Sequence, residues 1–153
     1  MIKVNVVSDE NSWSKRIKKK EKLFSKVCKI FPKKFKFHNK SVFFTLLLSN
    51  NKKIKYLNKK FRKKNKTTDV LSFPFYNKQD LKKKISKNKE IYLGDIIINL
   101  NKIKFKKEIK NFKKEFNKLW IHGLVHLFGY DHKKNKDFQS MLKIEKRFLS
   151  YLN

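Results

Sequence analysis

The sequence predicts an α+β fold, on three observations. Four short runs are rich in β-branched and aromatic residues, apolar residues recur at helical spacing around them, and no apolar run is long enough to be anything but core. About four strands are expected in a mixed sheet with helices packed against it. With 153 residues and 39% hydrophobic content the chain can bury a real core, and no linker or repeat divides it, so a single domain over residues 1–153 is expected.

The elements follow in order. Ile2 to Val7 alternates and reads as a strand. A helix is expected from about Ser12, because Trp13, Ile17, Phe24, Val27, Cys28 and Phe31 share one helical face; Pro32 stops it. Cys28 is the single cysteine, so no internal disulfide forms, and its apolar neighbours make it a buried thiol. Ser41 to Leu48 is a strand, followed by a lysine-rich helix near Lys52 to Lys63 and a turn at Asn65 to Asp69. Val70 to Phe73 is a short strand, limited by Pro74, which cannot donate to a sheet ladder. Asn77 to Lys89 reads as a mobile polar loop. Tyr92 to Ile98 is a strand leading into helical segments up to Phe128, and a last helix carries Phe138, Met141, Leu142, Phe148 and Leu149.

Composition narrows the partners. The chain has no Ala, only three Arg among 42 basic residues, and a formal net charge of +30. Heavy use of Lys, Asn, Ile and Phe points to coding sequence pulled toward A and T, so much of the lysine load reads as drift. A surface this basic nonetheless gains affinity for RNA by releasing phosphate counterions. The longest apolar runs are too short to span a bilayer and Asp9 and Glu10 interrupt any signal-like stretch, so a soluble cytoplasmic protein is expected, with no membrane partner.

The scarce residues carry the chemistry. HGLVHLFGYDH, residues 122–132, sets three imidazoles at the spacing His-x-x-x-His-x-x-Gly-x-x-His. With four His and three Gly in the chain, chance would produce this pattern on the order of 10⁻⁴ times or less. His122 and His126 lie one turn apart on a helix, Gly129 can take the left-handed conformation that ends it, and His132 then closes a third corner. Three protein ligands with a fourth position open is the catalytic zinc pattern, so one Zn²⁺ per chain is expected at the end of a central helix. The competing reading is two core histidines and an unrelated turn histidine. The spacing equals that of the metzincin proteases, but Gly123 stands where a protease carries its general-base Glu. A Glu placed at 123 is expected to point toward the open metal position. Its absence favours a phosphate ester over a peptide as substrate, because cations can meet the charge that a phosphodiester develops.

Three blocks, LNKKFRKKNKTTDVLSFPF (57–75), LGDIII (93–98) and HGLVHLFGYDH, together resemble the YbeY-type bacterial rRNA maturation factors, single-domain metal-dependent endoribonucleases. The resemblance covers the chain from Leu46 to Leu149; the first 40 residues share only a strand-then-helix pattern. It implies zinc on His122, His126 and His132, a positively charged cleft in which Arg62 meets the RNA backbone, and single-stranded rRNA at the 3′ end of the small ribosomal subunit as substrate. Assembly factors are implied as partners, and DNA is not. Arg62 and His122 are the candidate catalytic residues. From the residues alone, Arg62 is a guanidinium fork kept where lysine is abundant, and equally a helix-end cation near terminal carbonyls.

The remaining polar residues have plainer readings. Thr67, Thr68 and Asp69 are turn and capping residues, Ser72 a half-buried strand serine, and His38 an exposed loop residue. Asp95 is expected to hold a loop by backbone hydrogen bonds, with a supporting role at the metal left open. Glu115, two turns before His122, is expected in a surface salt bridge, and Asp131 either orients His132 or satisfies the turn. Two other functions remain: a zinc peptidase or amidase, with Glu115 the nearest carboxylate base, and a non-catalytic RNA-binding assembly factor with a structural metal.

Overall fold

Alternation along the apolar runs is what pairs them. In the computed structural model, which describes residues 2–9, 11–17, 24, 40–104, 108–132, 135–150 and 152, strands β1 (Ile2–Ser8), β2 (Ser41–Ser49), β3 (Val70–Pro74) and β4 (Glu90–Asn99) form one sheet in the order β1-β2-β4-β3. β1 and β2 run parallel, as do β2 and β4, while β3 runs antiparallel to β4 along the outer edge. The α+β class and the mixed four-stranded sheet are therefore as expected. Pro74 is the last residue of the edge strand, where its missing N–H costs the ladder least.

A bulge in β4 divides the sheet's two faces. Phe43 pairs with Tyr92 but Thr45 pairs with Asp95, so β4 carries one extra residue at Leu93–Gly94. Strict alternation from Ile91 and Leu93 would put Asp95 and Ile97 into the main core. The bulge resets the period, so that Ile91, Leu93, Ile96 and Ile98 share the core face and Asp95 and Ile97 turn to the other. Gly94 makes this possible: its φ is +130°, and a Cβ there would lie 2.1 Å from the Phe73 carbonyl oxygen.

Helices cover the faces unequally. On the core side α3 (Ile109–Leu127) crosses β3 and β4 with Phe112, Phe116, Trp120, Ile121, Leu124 and Val125 buried, and α4 (Asn135–Ser150) packs beside it through Met141 and Phe148. Trp13, Ile17 and Phe24 are buried in this core, as their spacing predicts. Trp13 packs on Phe112 and Phe116, and its indole N–H donates to the Ser49 carbonyl at 3.0 Å. Of the expected helix after Ser12, Asn11–Trp13 form a tight turn and Phe24 is helical; Val27, Cys28, Phe31, Pro32 and His38 lie outside the described residues. On the other face α1 (Asn51–Arg62) presents Ile54 to Leu71 and Ile97.

One expectation fails. Asn77 to Lys89 is not a loop: residues Lys78–Lys87 form helix α2. The lysine run hides a capped amphipathic turn. Asn77 accepts from the backbone N–H groups of Gln79 and Asp80 at 3.0 and 2.9 Å, Asp80 sits in the first turn, and Leu81 and Ile85 join the main core one turn apart.

Candidate metal centre

The centre forms where α3 ends. His122 and His126 leave the same helix face, and at Gly129, with φ +80°, the chain reverses: the N–H of Gly129 donates to the His126 carbonyl at 2.8 Å and that of Tyr130 to Val125 at 3.3 Å. A side chain at 129 would also meet the Cα of Lys78 at 2.7 Å, so this glycine allows both the turn and the close approach of α2. Beyond the turn His132 returns to the other two, and ligand atoms of all three imidazoles lie within 4.8 Å of one another. His122 and His126 are half-buried and His132 is exposed.

Hydrogen bonds on the far side of two rings decide what they offer. Nδ1 of His126 lies 2.9 Å from the Tyr130 carbonyl, which can only accept, so Nδ1 carries the hydrogen. Nδ1 of His122 donates in the same way to Oε1 of Glu145, at 2.8 Å, on α4. Each ring therefore turns an Nε2 lone pair inward, and the two Nε2 atoms stand 3.1 Å apart. Two lone pairs at that distance repel unless a cation lies between them. Tetrahedral zinc with nitrogens at about 2.0–2.1 Å would hold two of them about 3.3 Å apart, so the donor set and its spacing fit a metal ion. Burial holds the His126 imidazole below the ordinary histidine range, and a proton on His122 would push it further down, so the neutral, ligating form is favoured.

His126 and His132 line one wall of a cleft of about 540 Å³, and His122 stands behind them with its Nε2 3.1 Å from that of His126. The opposite wall comes from β3, the end of α1 and the start of α2, with Arg62, Lys64, Ser72, Tyr76 and Lys78. Arg62 reaches this cleft from the far face of the sheet by crossing the edge strand: its Nη2 donates to the Ser72 carbonyl at 3.0 Å and its guanidinium stands 5.8 Å from the centre of the Phe73 ring. Its position at the helix end is held from beneath. Lys63 closes α1 in the left-handed conformation, and the buried Asn58 amide donates to the Lys66 carbonyl at 2.8 Å. Asn99, also buried, donates to the Thr68 carbonyl at 2.9 Å. Thr68 and Asp69 act as turn residues, as expected: the Asp69 carboxylate accepts from the Thr68 hydroxyl and the Val70 N–H.

Several expectations need correction. Position 123 does not face the metal. A Cβ there would lie 2.7 Å from Cγ2 of Ile96 and 3.0 Å from Oγ of Ser72, so Gly123 is where α3 touches the sheet, and a Glu would collide with β4 before its carboxylate reached any ligand. Ser72 is buried rather than half-buried. Asp95 makes no loop-holding bond to backbone among those described; it accepts from the Tyr92 hydroxyl at 2.5 Å on the face away from the histidines. Glu115 pairs with Lys118 at 2.7 Å, as expected. Asp131 accepts from the His132 backbone N–H at 2.8 Å, which holds the turn.

Sequence reasoning missed Glu145, the Tyr130 carbonyl, Asn58 and Asn99. Glu145 did leave a trace: in α4 it occupies the stripe of Met141, Ile144, Phe148 and Leu149, where a carboxylate needs a partner.

The comparisons with known proteins agree in direction. The model of the family described as "Endoribonuclease YbeY" matches residues 6–153. A Pelagibacter ubique protein named endoribonuclease YbeY is 50% identical over 147 residues, covering 95% of this chain and 92% of its own. One from Thermodesulfovibrio yellowstonii, with the same name, is 38% identical over 111 residues, covering 71% and 65%. Among solved structures, the solution structure of a Thermotoga maritima protein matches with a TM-score of 0.55 at 27% identity, over 97% of this chain and 87% of that one.

Proposed function

The chain belongs to the YbeY family of endoribonucleases, and from that membership we propose that it is a zinc-dependent, single-strand-specific endoribonuclease acting in 3′-end maturation of small-subunit rRNA and in ribosome quality control. It works in the cytoplasm as one catalytic domain over residues 1–153, on the small ribosomal subunit together with assembly factors. His122, His126 and His132 hold the metal; Arg62 and His122 serve the reaction.

One arrangement carries this reading: two anchored imidazoles have converging Nε2 atoms, and one of them, His126, shares a cleft with a fixed guanidinium. When bound, zinc supplies a Lewis acid that neutralises charge on phosphoryl oxygens and makes water a stronger acid. Arg62, tethered through one N–H to Ser72, keeps the rest of its fork for a phosphate, where it meets the charge that grows as the ester breaks. Glu145 and the Tyr130 carbonyl fix the tautomers of His122 and His126, so neither ring must reorganise to ligate. Lys64 and Lys78 add positive charge at the rim and draw in the RNA backbone. A peptidase reading is weakened because position 123 has no room for a carboxylate base and Glu115 is engaged with Lys118.

The test is cleavage of an rRNA 3′-end fragment and of its duplex by zinc-loaded protein. The unpaired fragment should be cut, the duplex spared, and His126→Ala should bind RNA without cutting it. No cleavage by the zinc-loaded parent, or full cleavage by His126→Ala, overturns the reading. The product ends identify the nucleophile: a 2′,3′-cyclic phosphate means attack by the ribose hydroxyl, a 5′-phosphate attack by water.

A further inference from the structure

The rim of the cleft carries aromatic rings that the chemistry above does not use. Tyr76 lines the cleft, and Phe75 stands just outside it, 64% exposed. Phe75 is not on a loose segment. Its backbone N–H donates to the Leu93 carbonyl at 2.9 Å, which extends the β3–β4 ladder past Pro74 at the bulge that Gly94 creates. Its ring meets Tyr76 edge-to-face at 4.9 Å and Tyr92 at 5.8 Å, so two neighbouring rings hold it while most of its surface stays open. Cations accompany these rings. Nζ of Lys84 lies 6.0 Å from the centre of Tyr76, and Nζ of Lys78 lies 4.6 Å from that of Tyr130, which lines the same cleft.

A lone exposed phenylalanine needs no explanation. A held ring at the sheet edge, next to Pro74 and Tyr76 of the cleft lining and beside aromatics paired with lysines, is the surface that unpaired nucleic acid requires: flat faces for bases and cations for the phosphates between them. Resting on the endoribonuclease reading, we propose that Phe75 and Tyr76 form a base-stacking platform for the nucleotide flanking the scissile phosphate, and that this platform makes the site select single-stranded RNA. A base in a duplex is stacked on its neighbours and has no free face to offer. An unpaired strand can place a phosphate between Arg62 and the histidines while its next base lies on Phe75. The strong positive charge of the chain favours this occupant over an apolar peptide, because the lysines on α2 would gain nothing from the latter.

The experiment compares the zinc-loaded parent, Phe75→Ala and Phe75→Trp for binding of a labelled 2′-O-methyl oligoadenylate, chosen to slow cleavage, and of the same strand abasic throughout. Stacking is worth about tenfold or more in affinity for one base. Phe75→Ala should therefore bind the oligoadenylate about tenfold or more weakly with an unchanged salt dependence, and the two proteins should converge on the abasic strand. Phe75→Trp should restore affinity, and its emission should be quenched on binding, against the buried Trp13 and Trp120. Affinity of Phe75→Ala within about twofold of the parent, or an equal loss on both strands, overturns the platform while leaving the endoribonuclease reading intact if the parent still cuts RNA. A parent that neither binds nor cuts RNA overturns both.

Discussion

The two walls of the cleft are built by different means. The imidazole side is local: three histidines come from eleven consecutive residues, two from one helix face and one beyond a glycine turn. The cationic wall is assembled from three elements, with Arg62 at the end of α1 reaching over β3 from the opposite face of the sheet and α2 closing the rim. A local site is specified by spacing, whereas an assembled one depends on sheet order and on buried asparagines that hold a connection in place. Under the proposed function the difference also divides the labour, with one wall for a metal and the other for the charge of a phosphate.

Arg62→Ala should have the largest effect that leaves the metal in place. Losing one placed donor costs on the order of 10²–10³ in turnover, while RNA affinity, shared among many lysines, should change little. Steady-state kinetics beside equilibrium binding separates the two, and an equal fall in both would make Arg62 an ordinary surface cation.

Glu145→Gln tests the other wall. The amide no longer holds the His122 tautomer with a charge, so zinc affinity should drop about 10- to 100-fold by competition with a chelator, with RNA binding intact. Unchanged zinc affinity would mean that the Glu145 contact is only a surface pair.

Gly123→Ala addresses how the walls are joined. Its Cβ would press on Ile96, and overpacking of this kind costs about 1–3 kcal/mol. Gly123→Glu should lose more, seen as a lower Tm in both metal-free and zinc-loaded protein. A Glu variant as stable as the parent would contradict the close packing of α3 on the sheet.

The smallest effect concerns pH. Because the His126 value is depressed in the folded protein, the unfolded chain takes up the proton first as pH falls below about 6.5. The metal-free parent should therefore lose stability over that window, and His126→Asn should lose less. Matching Tm profiles for the two would remove the burial argument.

The same contrast governs what could be read from the chain. The strands, α3, α4 and the three-histidine set were legible because their signals are periodic or closely spaced. Helix α2 was not, because its two apolar residues, Leu81 and Ile85, stand in a lysine-rich run whose polarity resembles a loop. The orientation of Gly123 escaped because a motif gives spacing along a helix but not which side meets the sheet. Asp95 was misjudged because nothing in LGDIII announces a bulge that turns the aspartate away from the core. Glu145 lies 23 residues from His122, beyond the reach of any local pattern.

The central claim is that three histidines of one short segment hold a metal. X-ray absorption at the metal edge, on protein purified without added metal, tests it most directly. The account predicts one zinc per chain with three imidazole nitrogens at about 2.0–2.1 Å and a lighter oxygen ligand completing the shell. A chain that carries no metal, or a spectrum that needs sulfur or fewer than three imidazoles, would contradict it.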